Sequence, residues 1–223
     1  MKNKPCAFCG STEKDNPRTK GHVLQDSMYP DSGFEKVQRI TVPECRRCGE
    51  IWKDAEDNFR SLIALCAIGK NEQATAKWDG PIRRAHDREE DGRQRIHDLL
   101  KWVATAQTPD GEDARLHPGS IENINIVLRK MVRGLCHFHK LGTQVHDEAV
   151  LVLGEFENQL PVEMKKKAVE FNHLPGVFRY AYLNRRLEPD TFHVTWFLCF
   201  YEIVGFIVLV SAPRVKGFAD LPF

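Results

Sequence analysis

Two short cysteine pairs constrain this chain more than anything else in it. Cys6-Ala7-Phe8-Cys9 and Cys45-Arg46-Arg47-Cys48 both read C-x-x-C, and each is followed by a glycine, Gly10 and Gly49. A C-x-x-C turn presents two thiolates from one tight backbone knuckle, and two knuckles complete the tetrahedral sulfur set that zinc prefers. Glycine after the second cysteine tolerates the left-handed turn a knuckle often needs. Residues 1 to about 52 otherwise hold too few apolar side chains for a core of their own, so a bound metal has to supply part of their stability. With Cys6, Cys9, Cys45 and Cys48 filling all four positions the site is closed, which makes the zinc structural rather than catalytic. A thioredoxin-like redox reading needs one such pair beside a βαβ unit, and the pattern holds no such unit.

The remaining cysteines point to a compartment. Seven is an odd count in a chain of 223 residues, unlike the even sets of short secreted disulfide frameworks. Cys66, Cys136 and Cys199 lie in apolar surroundings and read as buried thiols. These features suit a reducing, cytoplasmic setting, and the polar, lysine-bearing N-terminus has no apolar run behind it that would make a signal peptide. Thr195 to Ala212 approaches the length of a membrane span. His193 and Glu202 border or interrupt it, and aromatic and β-branched residues dominate it, so it reads as two β-strands rather than a membrane helix. A formal charge of only +1 excludes a uniformly basic nucleic-acid binder and leaves room for a local patch alone.

Periodicity gives the rest of the architecture. Phe59, Leu62, Ile63, Cys66 and Ala67 recur at helical spacing and predict a helix over Lys53 to Ile68, with acid in its first turns and Gly69 as its stop. A second, highly charged helix is expected over 81–104, on the apolar positions Ile96, Leu99, Leu100 and Val103, followed by a loop from Gln107 to Gly119. Ser120 is a plausible cap for a third helix carrying Ile121, Ile124, Leu128, Met131 and Leu135 and ending at Gly142. Strands are then expected over Val177 to Leu183, Phe192 to Tyr201 and Ile203 to Ser211. The fold class is α+β: an N-terminal treble-clef-like zinc module, residues 1–68, and a C-terminal part, residues 69–223, of helices and a small antiparallel sheet packed on it.

Between the knuckles lie Thr19-Lys20-Gly21-His22-Val23-Leu24 and, further on, Pro30; after them come Ile51-Trp52, Glu56, Phe59 and Arg60. The order C-x-x-C, His-Val, proline, then C-x-x-C leading into a helix resembles the HNH endonuclease superfamily. Within it, residues 5 to about 62 look like the small zinc-bearing HNH-like proteins of bacteria and their phages. The resemblance implies a ββα arrangement around one divalent metal, magnesium or manganese, with a histidine that activates water. His22 matches that general base, and its ordinary pKa near neutrality suits the task. The sequence departs from the family at two points. Gly21 stands where the family commonly has a metal-binding Asp or Glu, and Gly49 where it commonly has Asn or His. Glu56, on the first turn of the following helix, is the expected replacement ligand, with Asp57, Glu50 and Asp26 behind it. Equally, Glu56 and Asp57 can serve only to balance the helix dipole, and His22 can serve only to buttress the zinc fold.

Other clusters carry less. Cys136-His137-Phe138-His139 with His146 lacks a matched partner pair, and His137 and His139 point to different helix faces. Lys165-Lys166-Lys167 with Arg185 and Arg186, and Arg46 and Arg47 inside the knuckle, are local cations able to meet phosphates. Two functional expectations follow. One is an HNH-like metal-dependent nuclease, or a nuclease-derived protein, acting on DNA or RNA with a structural zinc. The other is a non-catalytic zinc-containing binding protein with a degenerate HNH site.

Overall fold

The helix after the second knuckle begins earlier than its apolar period suggests. The computed structural model describes residues 4–12, 18–30, 37–88, 92–101, 103–108, 111–116, 121–141, 144–156, 162–188 and 191–213. Strands β1 (Arg18–His22) and β2 (Thr41–Cys45) form an antiparallel hairpin in which His22 lies opposite Thr41. Helix α1 (Arg46–Ala67) follows directly, with Cys45 as its extended cap residue. The first turns bury Cys48 and Trp52 but leave Ile51 exposed among polar residues, so a hydrophobic period alone starts the helix near Lys53. Gly49 is therefore helical, and the left-handed turn expected after Cys48 does not form. Gly10 does adopt it, with φ 70°.

The charged middle of the chain is broken up. Helix α2 (Glu72–Lys77) is capped by Asn71, whose side chain accepts from the Ala74 N–H at 3.0 Å. Gly80 and Pro81 interrupt the next turns before α3 (Arg83–Arg88) and α4 (Gly92–Lys101). Of the single helix expected over 81–104, the described residues show α3 and α4, while Val103 and Ala104 already belong to a strand, and the expected loop is mostly a hairpin, β3 (Val103–Thr108) with β4 (Gly111–Leu116). The physical reason is legible afterwards: Val-Ala-Thr-Ala-Gln-Thr alternates in the manner of a strand, and Pro109-Asp110-Gly111 is hairpin chemistry rather than the start of a long loop. The third helix, α5 (Ile121–Phe138), buries Ile124, Leu128, Met131 and Leu135 as its stripe predicts. Ser120 and Gly142 lie outside the described residues.

Five antiparallel strands form the main sheet, in the order β5-β9-β8-β7-β6. They are β5 (Val150–Phe156), β6 (Val169–Leu174), β7 (Phe178–Glu188), β8 (Thr191–Phe200) and β9 (Val204–Pro213), with the short helix α6 (Val162–Lys165) between β5 and β6. The apolar stretch Thr195 to Ala212 is β8 and β9, joined through Tyr201 and Glu202 at φ 49° and 62°. Two successive positive φ values are the turn geometry that matches strand twist in a tight hairpin. Among the described residues no helix is long and apolar enough to cross a membrane.

Helices α1 and α5 pack together over one face of this sheet. Phe59 of α1 meets Phe200 of β8 edge-on at 5.2 Å between ring centroids. A contiguous core runs from Cys6 and Phe8 through Phe59, Leu128 and Met131 to Trp196 and Ala212. It therefore joins the N-terminal cysteines to the C-terminal strands. The other sheet face carries a small cluster of Ala181, Leu183 and Phe197, with Met164 of α6 against it.

Candidate metal centre

Four backbone features bring the cysteines together. The first knuckle closes on a hydrogen bond from the Gly10 N–H to the Cys6 carbonyl, 2.9 Å, and is tied to β2 by the Ala7 N–H donating to the Pro43 carbonyl at 2.8 Å. Strand β2 ends at Cys45, and the first turn of α1 turns Cys48 back beside it. All four thiol sulfurs lie within 4.8 Å of one another, with Cys9 Sγ and Cys45 Sγ at 3.6 Å. Tetrahedral zinc with sulfur ligands at about 2.3 Å sets sulfur–sulfur separations near 3.8 Å. The Cys45 N–H already donates to Cys6 Sγ at 3.4 Å, the kind of bond that stabilises a thiolate ligand. The donor set and its spacing fit a metal ion such as zinc. Cys6, Cys45 and Cys48 are buried and Cys9 is exposed, so one corner of the tetrahedron faces solvent.

Titration of the thiols is lopsided in the manner of a shared negative charge. A hydrogen bond from Cys48 is the main cause pulling the Cys6 thiol down to about 4, while the same bond pushes Cys48 up. Burial pushes Cys9 up. A bound cation would hold all four sulfurs as thiolates. The remaining cysteines, Cys66, Cys136 and Cys199, are buried and form no disulfide.

Four thiolates around a divalent ion would be net negative, and α5 brings one buried cation, Arg133, to the first knuckle. Arg133 is 6% exposed; its Nη2 donates to the Phe8 carbonyl inside the first knuckle at 2.6 Å, and its Nε donates to the Val145 carbonyl at 2.7 Å. The guanidinium also lies over the Phe8 ring at 5.6 Å and the Trp52 ring at 6.0 Å. Trp52 is thereby part of the core, edge-on to Phe8. Neither Arg133 nor Lys130 stands out in the sequence reading. The available signal is a second stripe on α5, Val127, Lys130 and Gly134, in which a cation sits where an apolar residue is due.

His22 is half-buried at the end of β1. Burial, more than any charge, lowers its pKa; Arg39 and Lys130 lower it further, while Asp26 and Glu56 oppose them. Glu56 does not reach a free position beside it. Its Oε1 accepts from Lys130 Nζ at 2.6 Å. The same ammonium lies 3.6 Å from Oε1 of Glu44, a buried carboxylate on β2 that no periodicity singles out. Glu44 accounts for one of the two glycine departures, Gly21. A Cβ at Gly21 would stand 2.5 Å from Glu44 Cβ and 2.7 Å from its Oε2, and one at Gly49 would stand 3.5 Å from that same oxygen. Glu44 thus occupies the space that a side chain at position 21 would fill, whereas a Cβ at position 49 would make only an ordinary contact with it. Desolvation raises its pKa, and Lys130 opposes the rise.

Among the described residues the four cysteines are the only group of three or more side chains placed to hold a metal. His22, Glu56, Asp57, Glu50 and Asp26 do not converge on one. Asp26 pairs with Arg39, Glu50 with Arg46 at 2.9 Å and Asp57 with Arg60 at 3.6 Å. A second, divalent metal at His22 does not fit these partners. Cys136 is fully buried and His139 sits among aromatic rings, its Nε2 2.9 Å from the Tyr180 hydroxyl. Lys166 pairs with Glu163 at 3.1 Å. No protein-family model, no curated protein and no solved structure matches this chain.

Proposed function

We propose that this chain is a zinc-stapled protein of HNH-like descent, with a treble-clef-like N-terminal module, that binds DNA or RNA. The observation that carries the reading is the order of elements around the thiol cluster. A knuckle, a β-hairpin with a histidine at the end of its first strand, and a helix supplying the last cysteine follow one another in the order the HNH resemblance implies. Zinc bound there would serve as a structural cross-link between the knuckle and the helix start. Lys20 on β1 and Lys53 on α1 are exposed cations of this module, of the kind that contacts phosphates. Binding rather than divalent-metal hydrolysis is favoured because Glu56, the expected ligand, is held by Lys130.

A second reading retains phosphodiester hydrolysis with His22 as general base. The observation in its favour is the burial that keeps the imidazole neutral, and so able to accept a proton, at neutral pH. One set of experiments separates the two. Native mass spectrometry should find one zinc per chain, lost in Cys45→Ser. Mobility-shift titrations with duplex and single-stranded DNA and RNA should show salt-dependent binding that Lys20→Glu/Lys53→Glu weakens. Plasmid and single-strand cleavage with magnesium, manganese or nickel should give no product; cleavage abolished by His22→Ala would establish the second reading instead. Absence of both zinc and nucleic-acid binding would overturn the first.

A further inference from the structure

The four thiols of the cluster are not equally placed. Cys6, Cys45 and Cys48 are 2%, 0% and 6% exposed, whereas Cys9 is open to solvent. An oxidant arriving from water therefore meets the Cys9 sulfur first. The Sγ of Cys45, from the other knuckle, stands 3.6 Å from it, so a small shift of the knuckle brings the pair to bonding distance. Cys45 is the cap residue at the N-terminus of α1, the end of a helix that favours a thiolate. Arg46 and Arg47, next in sequence, are exposed cations. Positive surroundings together with access to solvent make a cysteine oxidisable. Cys6 differs, because its sulfur is buried and already accepts from the Cys45 N–H at 3.4 Å. Cys66, Cys136 and Cys199 are buried too and stand outside the group of sulfurs that lie within 4.8 Å of one another. The backbone holds the first knuckle against its partner by bonds that need no ion. The Ala7 N–H donates to the Pro43 carbonyl at 2.8 Å, and Arg133 donates to the Phe8 carbonyl at 2.6 Å.

We infer that the cluster is a redox-gated metal site, in which a hydroperoxide joins Cys9 to Cys45 as a disulfide and so releases the zinc. The inference rests on the zinc reading of the four cysteines. The Cys9 thiolate attacks one peroxide oxygen. The O–O bond breaks, Cys9 becomes a sulfenic acid, and the other oxygen leaves and takes up a proton as water or an alcohol. The Cys45 thiolate then attacks the Cys9 sulfur. The S–S bond forms, the S–O bond breaks, and the departing hydroxide takes up a proton to become water. Each sulfur gives one electron, and the peroxide takes both. One ligand is lost from each knuckle. Cys6 and Cys48 remain, half of the ligand set that a structural zinc takes. The new bond spans the same two segments, the first knuckle and the start of α1. The module thus exchanges a metal cross-link for a covalent one instead of falling open. A dithiol reductant reverses the step by exchange and restores all four thiols.

The test uses the full chain, loaded with zinc under reducing conditions, and hydrogen peroxide as the oxidant. A chromogenic chelator should report one zinc released per chain. Peptide mass spectrometry after alkylation of the remaining thiols should find Cys9 bonded to Cys45, and dithiothreitol with added zinc should reverse both changes. Far-UV circular dichroism should change less with peroxide than when a chelator strips the reduced chain. Cys9→His keeps a side chain that ligates zinc but cannot form the disulfide. It should hold the ion and release it to peroxide at least about tenfold more slowly than wild type. If Cys9→His does not load zinc, the disulfide mapped in wild type decides. A disulfide confined to one knuckle overturns the inference, and so does a loaded Cys9→His chain that loses zinc as fast as wild type. Zinc content of the reduced chain is measured first and separates the two readings. A chain that takes up none overturns the zinc reading and the gate with it, whereas a loaded chain indifferent to peroxide overturns the gate alone.

Discussion

Glu44 and the two glycines beneath it show how one buried side chain rewrites its neighbours. Alanine at Gly21 would place its Cβ 2.5 Å from Glu44 Cβ, which is strand side chain close to the backbone rather than a flexible tip. The strands must part or Glu44 must leave Lys130, so Gly21→Ala should destabilise by about 2 kcal/mol in urea unfolding. Gly49→Ala is the contrast. The position is helical and the nearest atom would be 3.5 Å away, an ordinary contact. Removing a helix glycine should then stabilise by about 0.5–1 kcal/mol in the same measurement. Both substitutions delete a glycine next to the same carboxylate, so opposite signs would come from geometry alone. His139 gives a second test at this scale. Burial lowers its pKa from the ordinary 6.5 to about 4, so as pH falls the unfolded chain takes up this proton before the folded one. Its contribution is complete above pH 6.5, is lost as pH falls toward 4, and changes no further below that. His22 and His173 are lowered by burial as well, so the useful quantity is the difference between wild type and His139→Phe. Between pH 7 and 4.5 wild type should lose about 1–2 kcal/mol more than the variant, a figure already reduced for the ring's partial access to water. Equal slopes in the two proteins would show that His139 does not titrate in this window.

At the scale of elements, α5 is the strut between the thiol cluster and the sheet. Gly134 brings it against the residue that follows β1, where a Cβ would come 2.7 Å from Val23 Cγ2, and Arg133 one residue earlier reaches the knuckle carbonyl. Arg133→Ala should cost about 3 kcal/mol, because the buried Phe8 and Val145 carbonyls lose their donors. Arg133→Lys should recover little of it, since one ammonium cannot reproduce a planar fork that spans two carbonyls and the Asp147 carboxylate. Urea unfolding of zinc-loaded variants measures both, and full rescue by lysine would reduce the role of Arg133 to charge. The sequence makes α5 legible as a helix because Ile124, Leu128, Met131 and Leu135 form one stripe. It does not reveal which basic residues are buried, because Lys130 and Arg133 enter pockets created by chain segments far away. The same limit governs the strands. β7, β8 and β9 carry dense aromatic and β-branched residues and are anticipated. The edge strands β5 and β6 are short, are interrupted by Gly154 and by Asn172 and His173, and carry one glutamate each, Glu155 and Glu170, so their pairing with β9 and β7 defines them more clearly than their own pattern does. In the site, the four cysteines were visible as spacing. The Glu44–Lys130–Glu56 group was not, because only the tertiary fold joins its three elements.

At the scale of the whole molecule, the question is whether the metal centre and the sheet unfold as one unit. Cys6, Cys45 and Cys48 belong to the same contiguous core as Phe59, Phe200 and Trp196, and α1 runs unbroken from the cysteine pair to the sheet. Structural zinc contributes on the order of 10–16 kcal/mol to folding in small zinc peptides, as large as the net stability of a typical domain, about 5–15 kcal/mol. Stripping an ion bound by these cysteines would leave buried thiols, free the Cys45–Cys48 turn and loosen the knuckle carbonyl that Arg133 grips. The expected result of a tight chelator is a cooperative loss of both parts: far-UV circular dichroism and the emission of the fully buried Trp196 should fall together, at a melting temperature lowered by more than about 10 °C. Hydrogen exchange makes the comparison local. Amides of β8 and β9 should lose protection along with those of β1 and β2 if the core transmits the loss. Sheet amides that stay protected while the hairpin exchanges freely would show instead that the module is a separable unit, held on by α5 but not required by the strands beneath it.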